Sequence, residues 1–450
     1  MIAVTIGRKL LELYNQEKRD ALTPKSFFEK VYFELFYNHS RYMQWVPNSP
    51  FVQMKKGQKP DALSVAERQE KLQNLYEKVE TGFRDASIAI GFAASEKKEF
   101  ATTSGQVSAL DLVTTEEDVY LSWIGSGLGV GVAGGISIFF DHPKILLTLF
   151  EGWQHYRNYL NDPAYIGLRG NQINTWNGQW LSHAFSKDYR EYDPLQNFDP
   201  FGTIAGGGIE LTTQSWTSVL FNIARNLPNT DLIGYVYSLG QSSPNRTLGF
   251  VPFRLPQIQR PIELYKSLFG ENDYHKDAKR IEPLYGTAFS FQRACQMGAI
   301  GVQALEPKGL RGLIPTGRDS TSLPNFSKAD HEKLVSFRTY QTWLLAMLNN
   351  DELWETAGKA AEALLHYEAG AGKARKDRFN KVKSVLDTAR KPQFMRELTV
   401  IVEETDYKEP LVELGKTVNR MPVDNVGYFI TLIRFRYAEL SSKTVQEPII

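Results

Sequence analysis

The sequence contains only one cysteine among its 450 residues, Cys295. One cysteine can form neither an internal disulfide nor a thiolate metal cluster, and such sparse use is typical of proteins in a reducing cytosol. The chain also lacks the long apolar segment of a secretory signal, because Arg8 and Lys9 follow soon after its start. These features predict a cytoplasmic protein whose single thiol is buried.

Neither sign of charge is in excess. The 52 Lys and Arg residues nearly balance the 51 Asp and Glu residues, which leaves a net charge of +1. A chain with this balance has no global field that attracts nucleic acid. Any binding to nucleic acid must therefore be local, or shared with partners.

Long apolar runs are also scarce. The longest uncharged stretch, residues 119–140, is rich in glycine and predicts a buried strand pair with a tight connection, so we expect no membrane span. Within it, residues 129–134 match the Gly-x-Gly-x-x-Gly motif of dinucleotide sites. That motif requires a helix after it, whereas Ile136 to Phe140 are β-like. The match therefore predicts a glycine hairpin and not a cofactor loop.

The common catalytic signatures are missing. The sequence has no Walker A, His-Glu-x-x-His, Gly-x-Ser-x-Gly or Cys-x-x-Cys motif, and its seven histidines show no paired ligand spacing. We therefore expect no catalytic residue, no metal and no cofactor.

The pattern of apolar residues changes along the chain. Aromatic residues at helical spacing predict two packed helices before about Lys59, and mixed helix and strand signals continue to about Phe253. A polar, breaker-rich segment at residues 314–322 is followed by helical patterns alone. The predicted fold is α+β, with an irregular mixed body over residues 1–322 and an all-α helical bundle over residues 323–450.

One segment, Leu168 to Trp180, combines amides, glycines and two tryptophans without any acid, histidine or cysteine. Amide side chains pair with base edges or with peptide groups, and none of these residues titrates near neutral pH. The segment therefore favours recognition over reaction, although Asn and Gly are also turn formers and Trp is common in cores. The candidate readers of DNA are Arg169, Asn171, Gln172, Asn174, Asn177 and Gln179.

Two further segments are candidates for binding nucleic acid. A glycine turn at Gly206, Gly207 and Gly208 predicts a surface loop, and is the next candidate reader if the first segment is buried. Near the end of the chain, a basic segment predicts a helix that follows a phosphate backbone, or else an ordinary solvated face. Its basic residues are Lys373, Arg375, Lys376, Arg378, Lys381, Lys383, Arg390 and Lys391.

This organisation resembles the large subunit of a type I CRISPR Cascade complex, most closely that of subtype I-B. The resemblance covers the whole chain, and within the body it is carried by Gly134 to Phe140, Gly152-Trp153 and Asn174-Thr175-Trp176-Asn177. It implies a non-catalytic protein whose N-terminal portion reads the protospacer-adjacent motif and helps to open the duplex. The C-terminal bundle would resemble the small subunit and guide the displaced strand.

The resemblance also implies a set of partners. These are the other Cascade subunits, the CRISPR guide RNA held through the complex, the target double-stranded DNA, its displaced single strand and a recruited helicase-nuclease. Two alternatives remain open from the residues themselves. One is a cytosolic enzyme with a site around Asp141, His142 and His183, and the other is a scaffold that binds only proteins.

Overall fold

The computed structural model describes residues 2–46, 49–81, 114–203, 208–238, 247–316, 322–369 and 372–446. The chain separates into two compact units, Met1–Leu255 and Pro256–Ile450. All described strands belong to the first unit, and the described part of the second is helical, so the predicted α+β class with a helical C-terminal region is confirmed. The boundary predicted at residues 322 and 323 lies inside the second unit.

The first unit alternates helices with short strands. Its elements are α1 (Ile2–Lys18), α2 (Pro24–Phe27), a π-helical turn (Phe28–Phe33), α3 (Glu34–Phe36), α4 (Val65–Thr81), α5 (Glu116–Ser126), β1 (Val130–Val132), β2 (Ile136–Phe140), α6 (Pro143–Asn161), α7 (Ile173–Ala184), β3 (Phe201–Thr203), β4 (Ile209–Leu211), α8 (Trp216–Asn226), β5 (Asp231–Ser238) and β6 (Gly249–Arg254).

An antiparallel sheet of four strands, in the order β1-β2-β5-β6, forms the centre of this unit. The connection between β1 and β2 contains Gly134 at φ 99° and Gly135 at φ 70°, a backbone region that side chains other than glycine rarely adopt. The predicted glycine hairpin is thus confirmed. The strand pair predicted over residues 119–140 was wrong for its first part, because residues 119–126 belong to α5. The N-terminus of α5 is fixed by a capping box between Thr115 and Asp118.

The aromatic residues near the N-terminus form part of the core of the first unit. Tyr32 stacks on Phe36 with ring centroids 4.0 Å apart, and both rings contact Trp153 of α6. Helices α1 and α5 approach so closely that a Cβ on Gly125 would lie 1.8 Å from the carbonyl oxygen of Ala3. The helical spacing in the sequence predicted this N-terminal packing correctly.

The described part of the second unit contains α-helices and no strand. They are α9 (Leu255–Phe269), which starts at the end of the first unit, α10 (Glu271–Leu284), α11 (Phe291–Gln296), α12 (His331–Leu348), α13 (Glu352–Glu368), α14 (Gly372–Leu386), α15 (Lys391–Glu404), α16 (Glu409–Arg420) and α17 (Val423–Gln446). Helix α17 packs against α12 and α13, and α14 packs against α15. No helix among the described residues is both long enough and apolar enough to cross a membrane.

Candidate nucleic-acid interface

Most of the segment from Leu168 to Trp180 forms a buried helix, α7, and not a recognition loop. Ile173, Trp176, Asn177 and Trp180 recur at spacings of three and four residues, which places them on one helical face. The indole nitrogens of Trp176 and Trp180 donate to the carbonyl oxygens of Gly152 and Thr148, each at 2.8 Å. The tryptophans therefore anchor α7 to α6.

Two of the predicted readers are buried parts of this packing. Asn177 is fully buried, and its amide donates to the carbonyl oxygens of Gly127 and Gly129 at 2.8 and 2.9 Å. Gln179 is only 4% exposed, donates to the carbonyl of Thr212 and accepts a hydrogen bond from Gln214. The prediction that Asn177 and Gln179 contact DNA conflicts with this burial, because their amides already satisfy groups of the chain.

Asn174 and Gln172 are partly exposed, at the start of the same helix. The amide of Asn174 donates to the hydroxyl oxygens of Ser137 and Tyr237, at 3.0 and 3.3 Å, so it fixes α7 to the sheet. The side-chain oxygen of Gln172 is buried and accepts no hydrogen bond from the described residues. Asn174 thus has a structural role.

Arg169 and Asn171 are the two predicted readers whose side chains are exposed. They lie on residues 165–171, named here the 165–171 loop. The hydroxyl of Tyr156 lies 2.8 Å from the carbonyl oxygens of both Arg169 and Gly170, and Nη1 of Arg41 donates to the carbonyl of Leu168 at 3.1 Å. The exposed side chains therefore project from a backbone held by its neighbours. Sequence reasoning missed Arg41, which lies more than a hundred positions away from the loop.

The β3–β4 hairpin lies beside this loop. Strands β3 and β4 form a hairpin whose connection includes Gly208; Gly206 and Gly207 lie outside the described residues. The ring of Phe201 on β3 packs against Tyr165, with centroids 4.9 Å apart, and a Cβ on Gly167 would lie 3.8 Å from the amide nitrogen of Ile209 on β4. The fold thus brings the 165–171 loop and the β3–β4 hairpin together.

The eight basic residues near α14 divide into two groups. Four are bound by the second unit itself: Arg375 pairs with Glu368, Arg378 donates to the carbonyl of Ala369, Lys381 pairs with Glu404, and Lys391 donates to the carbonyl of Met421. Hydrogen bonding to Glu404 raises the pKa of Lys381. For these four, the structure gives a role within the second unit.

The other four are exposed and form no ion pair with any described residue: Lys373, Lys376, Lys383 and Arg390. At 100° per residue, Lys373, Lys376 and Lys383 lie within an arc of about 80° on α14. The opposite side of the helix carries the buried Val382, Val385 and Leu386. Lys373, Lys376 and Lys383 therefore form a stripe of positive charge, named here the α14 lysine stripe.

The alternative enzyme site would combine Asp141, His142 and His183. Asp141 forms an ion pair with Lys9, and Nε2 of His183 lies 2.8 Å from the carbonyl oxygen of Pro194. Burial lowers the pKa of His142 and of His183. No hydrogen bond or ring contact links His183 to Asp141 or His142 within the part of the chain that the structure describes. Across the same residues, no group of three or more His, Cys, Asp or Glu side chains could hold a metal ion.

The lone cysteine is a buried thiol, as predicted, and its burial raises its pKa to about 12. A thiol with so high a pKa is not ionised at neutral pH and is a poor nucleophile.

Comparison with known proteins gives no family: no family model, no curated protein and no solved structure matches the chain.

Proposed function

We propose that this protein is the non-catalytic large subunit of an RNA-guided type I CRISPR surveillance complex. In this role it reads the protospacer-adjacent motif, helps to open the target duplex, holds the displaced strand and recruits the helicase-nuclease. The observation that carries the proposal is the contact of the 165–171 loop, which bears the exposed Arg169 and Asn171, with the β3–β4 hairpin, whose connection includes Gly208.

The chemistry of this surface suits the reading of a short motif. Guide pairing supplies most of the sequence specificity in such complexes, so the protein needs only a few polar groups on a rigid support. An arginine fork can contact the O6 and N7 atoms of guanine, and an asparagine amide can contact the N6 and N7 atoms of adenine. Arg169 and Asn171 offer these two groups. Tyr156 holds the backbone between them, and Arg41 holds the carbonyl of Leu168 just before Arg169.

The α14 lysine stripe supports the second part of the role. A row of exposed cations on one helical face can follow the phosphates of a single strand without reading its sequence. The stripe needs no excess of charge over the whole chain, which is consistent with a net charge of +1.

The proposal is tested with a double substitution, Arg169→Ala with Asn171→Ala, in the complex assembled with guide RNA. Binding is measured to a target duplex carrying the adjacent motif and to the same target opened in advance as a bubble. We expect the dissociation constant for the duplex to rise by about tenfold or more, since each base contact contributes about 1–3 kcal/mol. Binding to the opened target should change little, because motif reading precedes opening.

A matched control replaces Asn161 and Lys187, which are exposed on the same unit and form no ion pair with any described residue, by alanine. This control should bind both substrates as the wild type does. An equal loss on the duplex and on the opened target, in a variant that remains folded, would contradict motif reading by the 165–171 loop.

A further inference from the structure

Five backbone carbonyl groups of the 165–171 loop are held by two side chains of the first unit. Nη1 of Arg41 lies 2.8, 3.3 and 3.1 Å from three of the carbonyl oxygens, and the hydroxyl of Tyr156 lies 2.8 Å from each of the other two. Tyr156 is fully buried and Arg41 is partly buried, so both side chains approach the loop from the protein side. The carbonyls are those of Tyr165, Ile166, Leu168, Arg169 and Gly170.

The backbone amides that follow these carbonyls point away from Arg41 and Tyr156. In a trans peptide, the C=O bond of one residue and the N–H bond of the next point in opposite directions, and each peptide bond of this loop is trans. No hydrogen bond joins any of these amides to another described residue. They are named here the amide row and belong to Ile166, Gly167, Arg169, Gly170 and Asn171.

Two glycines leave the amide row open to a ligand. Gly167 is exposed and Gly170 is partly exposed, and neither has a side chain that would keep a bulky anion away from the backbone. A Cβ on Gly170 would lie 2.3 Å from the carbonyl oxygen of Tyr42, so this position requires glycine. A Cβ on Gly167 would lie at an ordinary 3.8 Å from its nearest neighbour. Gly167 can therefore be replaced without a clash.

The charge around the amide row favours an anion. Arg157 donates to the backbone carbonyl of Arg41 at 3.0 Å, and neither arginine forms an ion pair with any residue in the described ranges. The exposed side chain of Arg169 adds a third cation. The carboxylate nearest in sequence, that of Asp162, accepts a hydrogen bond from the amide of Ala164 at 2.8 Å. Successive backbone amides beside guanidinium groups are donors of the kind that bind phosphate oxygens.

We propose that the amide row binds one phosphate of a nucleic-acid backbone. Two adjacent N–H groups can each donate to a different oxygen of the same phosphate, and the positive charge of the arginines strengthens these hydrogen bonds. A phosphate bound there would fix the register of the duplex beside the side chains of Arg169 and Asn171, without depending on base sequence. The identity of the ligand as nucleic acid rests on the proposed function, whereas the amide row can be tested without DNA.

The first measurement compares the thermal midpoint of the full chain in inorganic phosphate and in chloride at equal ionic strength. The two variants are Gly167→Asn and Gly167→Asp, whose new side chains have nearly the same size and differ in charge. Phosphate should raise the midpoint of the wild type and of Gly167→Asn by about 2 °C or more, because a ligand that binds only the folded state stabilises it. The rise should be clearly smaller in Gly167→Asp, because its carboxylate repels the anion.

The comparison of the two variants also controls for a general effect of the salt. Phosphate stabilises proteins without binding to a site, because it is excluded from their surface. Both variants share this contribution, so the difference between their rises reports binding at the amide row. Equal rises in Gly167→Asn and Gly167→Asp, or no rise in the wild type, would overturn the anion site.

The second measurement uses the assembled complex over a series of salt concentrations, with one duplex that carries the adjacent motif and one that lacks it. Relative to Gly167→Asn, Gly167→Asp should raise the dissociation constant about fivefold to tenfold for both duplexes. The slope of affinity against salt should fall by about one, as expected for one lost phosphate contact. A loss confined to the duplex with the motif would overturn the phosphate contact, because it would indicate base reading at this position.

The two measurements separate the phosphate site from the proposed function. A smaller rise in Gly167→Asp, in a chain whose complex binds no DNA, would overturn the proposed function and nucleic acid as the ligand, and would leave a site for free phosphate. Normal DNA binding with equal salt slopes in the two variants would leave the proposed function intact and remove the phosphate contact.

Discussion

At the residue scale, two asparagines of the same segment have opposite roles. The amide of Asn177 satisfies two buried backbone carbonyls, whereas the side chain of Asn171 is exposed. The sequence cannot separate these roles, because the same donor and acceptor serve a base edge or a peptide group. Burial decides which role each asparagine has, and burial depends on the strands and helices that surround each position.

These roles predict different effects on stability. Asn177→Ala should lower the free energy of unfolding by about 1–3 kcal/mol, since two buried carbonyls lose their donor. Asn171→Ala should change it by less than about 0.5 kcal/mol, as exposed substitutions usually do. Urea denaturation of both variants measures the difference. Equal losses would contradict the exposure of the Asn171 side chain to solvent.

His39 predicts a dependence of stability on pH. Its pKa is about 4 in the folded protein and about 6.5 in an unfolded chain, so the unfolded chain binds more protons between these values. The free energy of unfolding therefore falls as the pH drops from 6.5 towards 4. His142, His155 and His183 also have lowered pKa values and contribute with the same sign.

The contribution of His39 to this pH dependence is measured with His39→Gln. The free energy of unfolding is determined by urea denaturation at several pH values between 7 and 4. The variant should lose less stability than the wild type over this interval. Identical pH profiles would mean that His39 is not held in its neutral form by burial and by the positive charges of Arg157 and Arg68.

At the scale of elements, local sequence signals account for the starts of several helices. Pro392 and Pro410 each lie in the first turn of a helix and Pro422 lies directly before one, and Ser64 and Glu67 form the capping box that starts α4. These signals act over a few residues, so the sequence contains them in full. The burial of α7 was not predicted from its amide composition, although its apolar residues recur with helical spacing.

The proposed binding of the displaced strand can be tested on the α14 lysine stripe. Replacing Lys373, Lys376 and Lys383 by glutamine should weaken binding of the complex to single-stranded DNA and reduce the slope of affinity against salt by about two to three. The helix should stay folded, because none of the three side chains contributes an ion pair within the described part of the second unit. Circular dichroism checks the fold, and titrations at several salt concentrations check the binding.

Lys381→Gln is the contrasting variant. Lys381 pairs with Glu404, so its loss should affect the packing of α14 on α15 and leave the salt slope unchanged. If Lys381→Gln reduced the slope as much as the triple substitution does, the distinction between paired and unpaired cations would fail.

At the scale of the whole molecule, the sequence predicted the fold class, while the two compact units divide at Leu255 and Pro256. The breaker-rich segment at residues 314–322 marks a change in pattern, yet long-range contacts join the helices on both sides of it. Asp273 of α10 pairs with Arg338 of α12, and the buried Asp277 lies 2.8 Å from His331. Contacts between residues so distant in the chain leave no local signal in a single sequence.

This division predicts the behaviour of two fragments. Residues 256–450 should unfold in a single cooperative thermal transition. Residues 323–450 should be markedly less stable, because this fragment lacks α10. Arg338 and His331 of α12 then lose their partners Asp273 and Asp277. Calorimetry of the two fragments measures this, and equal midpoints would favour the boundary at residue 322.

The most direct test of the proposed function is purification of the tagged chain from the cells that naturally encode it, with sequencing of any RNA that accompanies it. The proposal predicts several other subunits in fixed ratio and short RNAs that share a repeat-derived end and differ in their spacer sequences. A chain that purifies alone, or with protein partners but without RNA, would contradict the assignment to an RNA-guided complex.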